Sequence, residues 1–303
     1  MSNFKPHLCC DGNLDKVKFP AITMTKIDGV RMLNINGNSV GRSLKQFDNR
    51  ALTKKYSKEE YSGFDGELIA GYDPKKKLLC NLTTSLVNTI EGGDESTWFV
   101  FDFLRGDVIH LPYETRWKLL NDYVAEKGLN SQNIYVVPYR IANDKEEVES
   151  NYQEWLKEGY EGLIGRSCIG KHKNGRATEK EASYFRLKPS SDKEAIVLEL
   201  TEAMQNLNQA KVNELGHTER SSHKENKIGK GMVGSLICKD VATGNTITVG
   251  AGKMEHSDRE HYWNNPSEII GKFIKYESMD TGVKDKPRFP RFVSMRSETD
   301  MSE

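Results

Sequence analysis

The chain has 303 residues with 44 Lys+Arg and 44 Asp+Glu, so its formal net charge is zero at pH 7. That length is enough for two domains with separate cores, and the even balance excludes any inference of a partner from net charge, leaving only a local basic patch for a nucleic acid. Five cysteines without a CxxC pair, no apolar signal core near the start and no eighteen-residue apolar run predict a soluble cytoplasmic chain with reduced thiols, excluding a disulfide or zinc framework.

Residues 1–24 read as a short lead punctuated by Pro6, Gly12 and Pro20. Thr25-Lys26-Ile27-Asp28-Gly29-Val30-Arg31 then places a lysine, an aspartate, a glycine and an arginine within six positions. A free lysine has a pKa near 10.4, so roughly one in several thousand is neutral at pH 7. A neighbouring cation such as Arg31, or a bound metal with its nucleotide, is expected to disfavour the protonated form and free the amine to attack phosphorus. Gly29 is expected to let the backbone turn and approach a ligand. Alternation over Val30–Ile35 with Asn36-Gly37-Asn38 behind it predicts a hairpin, whose second strand, Ser39–Ser43, returns Arg42 to Lys26.

Phe64–Ala70 reads as a strand carrying Glu67 at the edge of a core. Trp98–Leu104 reads as an aromatic strand, mostly core, with one ring able to stack on a base. Tyr113–Lys127, stopped by Gly128, and a helix capped by Asp144 with Glu147 and ended by Gly159 read as scaffold, separated by a strand at Ile134–Val137. Tyr160–Arg166 is a further strand with Glu161 at its start. The basic run Lys171–Lys188 ends in an alternating Tyr184–Lys188, which puts Arg186 and Lys188 on one face and suits a phosphate.

Pro189-Ser190-Ser191-Asp192 marks the expected boundary between domains 1–189 and 190–303. Short strands follow at Ala195–Leu200, Met232–Cys238, Thr246–Val249 and Lys272–Tyr276, with a turn at Ala242–Asn245, which predicts a small barrel or sandwich. The polar stretch 201–231 reads as a long excursion. Ser257–Trp263 reads as a short helix. His256 and His261 lack an HExxH frame and read as surface residues. No GxxxxGK[ST] or GxGxxG loop is present.

Taken together, these segments resemble the covalent nucleotidyltransferases, and within them the ATP-dependent DNA ligases in their minimal, phage- or virus-like two-domain form. KIDGVR is similar to the KxDGxR lysine motif. FDGELI, FVFDFL, EGLIGR and FRLKP follow in the family's order, and RFPRFVSMR is similar to its last motif. The resemblance implies an α+β nucleotidyltransferase domain, ATP-grasp-like, with antiparallel sheets and flanking helices, followed by an all-β OB-fold domain. It implies sealing of nicked double-stranded DNA with ATP and Mg2+ or Mn2+, by a monomer without a membrane and without a separate N-terminal DNA-binding domain. The setting it implies is a bacterial or phage-infected cell, or a host's nucleic-acid compartment.

The resemblance also implies roles. Lys26, between Thr25 and Ile27, becomes adenylated. Asp28, Arg31 and Arg42 orient and neutralise the AMP phosphate and the DNA end. Glu67 accepts from the ribose, and Phe101 stacks on adenine. Glu161 binds metal with help from Glu67. Arg186 and Lys188 contact phosphates, Lys188 as an acid. Arg288 and Arg291 reach pyrophosphate, and Arg42 and Arg176 meet DNA. Two departures stand out. Met24 occupies a place where the family often has an acid or amide that reads adenine, leaving base selection to backbone groups or Thr25. Arg186 stands where lysine is common, which changes hydrogen-bond geometry. Within the same superfamily the alternatives are a capping guanylyltransferase and an RNA ligase; outside enzymes, it is a degenerate DNA clamp.

Overall fold

The computed structural model describes residues 4–189, 191–281 and 286–296, with the side chains of 191, 192, 280 and 281 excepted. Two compact units result, a first up to Lys188 and a second comprising Pro189–Asn213 with His217 onward. Ser190, at the expected boundary, lies outside the described residues.

In chain order the first unit contains β1 (His7–Leu8), β2 (Cys10–Asp11), β3 (Ala21–Lys26), β4 (Val30–Ile35), β5 (Asn38–Gly41), α1 (Arg50–Tyr56), β6 (Phe64–Ala70), α2 (Leu79–Asn88) and β7 (Ser96–Phe103). It continues with α3 (Tyr113–Glu126), β8 (Ile134–Val136), β9 (Tyr139–Ala142), α4 (Lys145–Lys157), β10 (Gly162–Ser167), β11 (Gly175–Arg176) and β12 (Tyr184–Leu187). Two five-stranded sheets form, in the orders β5-β4-β6-β7-β8 and β2-β12-β10-β3-β9. Ile22, Met24 and Ile27 from one sheet pack with Ile69, Phe99 and Phe101 from the other. On its other face the first sheet buries Met32, Phe64, Leu68, Trp98 and Phe103 against the helices.

The β4–β5 hairpin closes through two residues, Asn36 (φ 48°) and Gly37 (φ 76°), with Ile35 opposite Asn38. Positive φ at both is what a twist-matched two-residue turn requires, and Asn-Gly tolerates it best. The second strand ends at Gly41, so Arg42 stands just beyond it rather than within. α3 stops where Gly128 turns left-handed at φ 60°. α4 is capped as expected, Asp144 Oδ1 accepting from Glu147 N at 2.8 Å.

The register between β6 and β7 slips by one residue: Asp65 opposes Asp102, whereas Gly66 opposes Val100. Phe101 is therefore the extra residue of a β-bulge. The bulge resets the alternation, so Trp98, Val100 and Phe103 join one core while Asp102 turns to Arg166 of the other sheet. Gly66 permits the slip, since a Cβ there would stand 2.5 Å from Phe99 O.

The second unit is a closed barrel, β13-β16-β17-β19-β18, built from β13 (Ser191–Asn206), the hairpin β14 (Ala210–Val212) and β15 (Thr218–Arg220), β16 (Lys227–Asp240), β17 (Thr246–Gly250), α5 (His256–Asn264), β18 (Phe273–Thr281) and β19 (Pro287–Met295). Val197, Val233, Leu236, Val249, Ile274 and Tyr276 fill it. The stretch 201–231 is not the loop its polarity suggests. β13 and β16 stay paired, through register shifts near Glu202, as far as Asn206 opposite Lys227, and β14–β15 makes a ribbon between them. These extensions bury little, so the alternation that marks a strand is missing from their sequence.

Candidate active site

A cavity of about 580 Å3 opens between the two sheets of the first unit. Thr25, Lys26 and Ile27 line it at the end of β3, with Arg31 from β4, Glu67 from β6, Phe101 from the bulge and Arg186 from β12. Arg42, beyond the hairpin, and Arg176, on β11, line it from exposed positions. Met24 lines it also, but is buried, with the Tyr113 hydroxyl 3.4 Å from its sulfur.

The chain crosses from one sheet to the other through Ile27-Asp28-Gly29. Gly29 is needed there for a contact within the protein. A Cβ at this position would lie 2.3 Å from Leu68 O and 2.9 Å from Glu67 Cγ, and its φ is not positive. Its missing side chain lets the backbone approach β6 closely.

Lys26 Nζ donates to Glu161 Oε2, and Glu161 N donates back to Lys26 O at 3.0 Å. Burial opposes the charge on Lys26, but the carboxylates of Glu161 and Glu67 override it and hold the ammonium above the ordinary lysine value. Burial pushes the Glu67 carboxyl up to about 7, against the pull of Lys26 and Arg31. The expectation that Arg31 would disfavour the lysine proton is thereby corrected. Arg31 forms a two-point ion pair with Asp65, at 2.8 and 2.5 Å, and also donates to His7 O at 2.7 Å. Its charge is answered locally, so the acids set the state of Lys26.

Arg186 Nε donates to Asp11 Oδ1 at 2.9 Å. Lys188 lies one residue past β12, close enough to Arg186 for the two charges to act on one another. Burial, with the nearby Arg186 charge, lowers the Lys188 pKa, and Glu161 is close enough to oppose this. Asp28 stands near enough to Glu67 to act on its charge. Arg288 and Arg291 lie on β19 of the second unit, where Arg291 meets Glu277 at 3.2 Å.

Several supporting groups escaped the sequence reading. Asp102 is fully buried and accepts from Arg116 Nε at 2.8 Å and Arg166 Nη1 at 2.6 Å. Arg166 Nε and Nη2 have no hydrogen-bond partner among the described residues. The guanidinium lies instead against the rings of Tyr184 at 3.8 Å, Tyr113 at 4.3 Å and Phe101 at 5.6 Å. A charge over an aromatic face is attracted by the ring quadrupole, so this cation backs the wall formed by Phe101 and Tyr184. α3, read as scaffold, thus contributes Arg116 and Tyr113 to the site's support. α2 supplies Thr84, Val87 and Asn88 to the cavity. Among the described residues no group of three or more His, Cys, Asp or Glu could hold a metal ion by itself.

Residues 10–181 match the family model described as ATP dependent DNA ligase domain, and residues 227–296 match the DNA ligase OB-like domain. DNA ligases of African swine fever virus isolates are 27–28% identical over 138 residues, covering 46% of this chain and 32% of theirs. The chain thus spans about a third of the length of these relatives. The fold is similar to that of the Chlorella virus DNA ligase-adenylate (TM-score 0.54, 23% identity, 97% of this chain and 100% of that one). It is also similar to a Lig E DNA ligase described as DNA binding with a minimal scaffold (TM-score 0.67, 19% identity, 98% and 100%). With its sheet sandwich and barrel each matched to a ligase domain, the chain belongs to the ATP-dependent DNA ligase family.

Proposed function

We propose that this chain seals nicks in duplex DNA at the expense of ATP, with Lys26 as the residue that carries AMP, residues 1–189 as the adenylating domain and 190–303 as the OB barrel. The observation that carries this reading is the Lys26 amine on the floor of the cavity, between Glu161 and Glu67 and among Thr25, Ile27 and Phe101.

Lys26 Nζ, once deprotonated, attacks the α-phosphorus of ATP. An N–P bond forms as the P–O bond to pyrophosphate breaks. An oxygen of the DNA 5′-phosphate then displaces the lysine, and the 3′-hydroxyl displaces AMP as the phosphodiester forms. Each displacement gathers charge on equatorial oxygens, which fixed cations stabilise. Arg186, Lys188 and Arg42 fill that role, with Lys188 as the acid and Asp28 helping to orient the AMP phosphate and the DNA end. Arg31 works indirectly, holding Asp65 and the N-terminal backbone. Phe101 supports the adenine and Glu67 its ribose.

The acids Glu67 and Glu161 fit a magnesium or manganese ion that shares its shell with substrate phosphates, since Mg2+ is often held by one or two carboxylates plus phosphate. Such an ion supplies neutralisation of phosphate charge. Met24 is buried and offers no base-reading carboxylate, so Thr25 and nearby backbone groups select adenine. DNA contacts are mostly to phosphates, with Arg42 and Arg176 among them, and binding is monomeric and salt-sensitive. No helix among the described residues is long and apolar enough to cross a membrane.

The test is incubation with α-labelled ATP or GTP and magnesium, then a chase with nicked duplex. Acid-labile label from ATP alone, discharged as the nick closes, supports the reading. Label from GTP, or label that nicked DNA never discharges, contradicts it.

A further inference from the structure

Residues His7–Asp11 form a strap, β1 pairing with β11 and β2 with β12, and its alternate residues accept from three cavity-lining arginines. Arg31 Nη1 donates to His7 O at 2.7 Å, Arg176 Nη1 to Cys9 O, and Arg186 Nε to Asp11 Oδ1 at 2.9 Å. Leu8 and Cys9, between these acceptors, line the cavity themselves. Two of the three acceptors are backbone carbonyls; Asp11 alone offers a side chain. Its backbone is pinned, with Asp11 opposite Arg186 in register and Gly12 N donating to Arg186 O at 2.9 Å. A Cβ on Gly12 would stand 2.7 Å from Leu187 Cδ2 and 3.0 Å from Arg186 O, so glycine is needed to bring the strap this close.

We propose that Asp11 is a positioning residue of the adenylation site, fixing the Arg186 guanidinium by its Nε edge so that both terminal nitrogens are left as a fork for a phosphate. The proposal rests on the reading of Lys26 as the nucleotidyl carrier. Among the described residues Asp11 is the one hydrogen-bond partner of the Arg186 side chain. An arginine held by one edge presents the other in a fixed plane, whereas a lysine ammonium has three rotatable donors and no fork to orient. Asp11 and an arginine at 186 therefore work as a unit. The Asp11 side chain is 80% exposed, and exposed pairs of this kind contribute little to folding. Its contribution belongs in the rate.

The experiment measures single-turnover capture of label from ATP and magnesium by the full chain, as wild type, Asp11→Ala, Asp11→Asn, Arg186→Lys and the Asp11→Ala/Arg186→Lys pair, with thermal unfolding alongside. The expected result is a maximal rate about three- to tenfold lower in Asp11→Ala, the range one such hydrogen bond commands, with an unchanged unfolding midpoint. Asp11→Asn restores most of the rate, because the amide oxygen still accepts from Nε. In the Arg186→Lys background Asp11→Ala changes the rate less than about twofold, as expected where the coupled partner is already gone. A wild-type rate in Asp11→Ala, an Asn variant as slow as the Ala variant, or an equal loss in the Arg186→Lys background overturns the proposal while leaving Lys26 in its role. Failure of the wild type to take up label overturns both.

Discussion

Lys26 and Glu161 hold each other twice, the ammonium on the carboxylate and the Glu161 amide on the Lys26 carbonyl at 3.0 Å. The backbone bond fixes the distance between β3 and the start of β10, and the side-chain bond holds the proposed nucleophile as an ammonium. On the proposed function this lysine rests in the free protein and becomes reactive when the charge around Glu161 and Glu67 changes.

Glu161→Gln separates the two roles of that acid. Loss of an opposite charge lowers the lysine pKa, so the pH midpoint for acylation of Lys26 by a neutral amine reagent, without metal, moves down. Capture of AMP is expected to fall about a hundredfold or more, because the phosphates lose the carboxylate proposed to hold the metal. Peptide mapping of the acylated lysine and a label-capture assay check the two directions.

Asp102 holds two buried arginines. Burial opposes its ionisation, but Arg166 and Arg116 override this and keep the carboxyl well below the usual range. The folded pKa lies below the unfolded one, so the stabilisation is present above about pH 4 and declines as the pH falls further. Asp102→Ala is expected to cost about 3–5 kcal/mol, as for other buried pairs stripped of one partner, and urea unfolding at neutral pH measures it.

Two groups with opposite linkage share one pH window. Burial, reinforced by Arg166, lowers the His7 pKa to about 3, so protonation in the unfolded chain erodes stability as pH falls below 6.5. Burial raises Glu67 to about 7, so the folded state takes up its proton first and gains stability as pH falls from 7 toward 4.5. Between these limits the two offset each other in the metal-free protein. Glu67→Gln removes one side, and its unfolding equilibrium is expected to worsen by up to tenfold per pH unit, relative to wild type, on going from pH 6.5 to 4.5. Parallel pH profiles for the two proteins would contradict this.

The β14–β15 ribbon is expected to serve DNA rather than chemistry. Because Asn206 opposes Lys227, residues 207–226 can be replaced by a two-residue turn. Nick binding should weaken more than AMP capture; equal losses would assign the ribbon to folding.

Much of the site was legible because the lysine, the two acids and the aromatic strand sit in motifs whose order survives in the chain. The β4–β5 turn was legible because Asn36-Gly37 suits left-handed backbone. α2 was not, since it begins after Leu78 at φ 58° with no side-chain cap and no acidic first turn. The counter-ions were also hidden. Asp65, Asp102 and Asp11 meet Arg31, Arg166 and Arg186 across separations of 34, 64 and 175 residues, and no local pattern encodes such pairs. The bulge at Phe101 leaves no trace in a strand rich in aromatic residues, although it decides which side chains reach the cavity.

The most direct measurement is label uptake from α-labelled ATP by Lys26→Ala beside wild type, each then offered nicked duplex. The account predicts an acid-labile label on wild type that leaves as the nick closes, and no label on the variant, which still binds the nick. A labelled Lys26→Ala protein would contradict it.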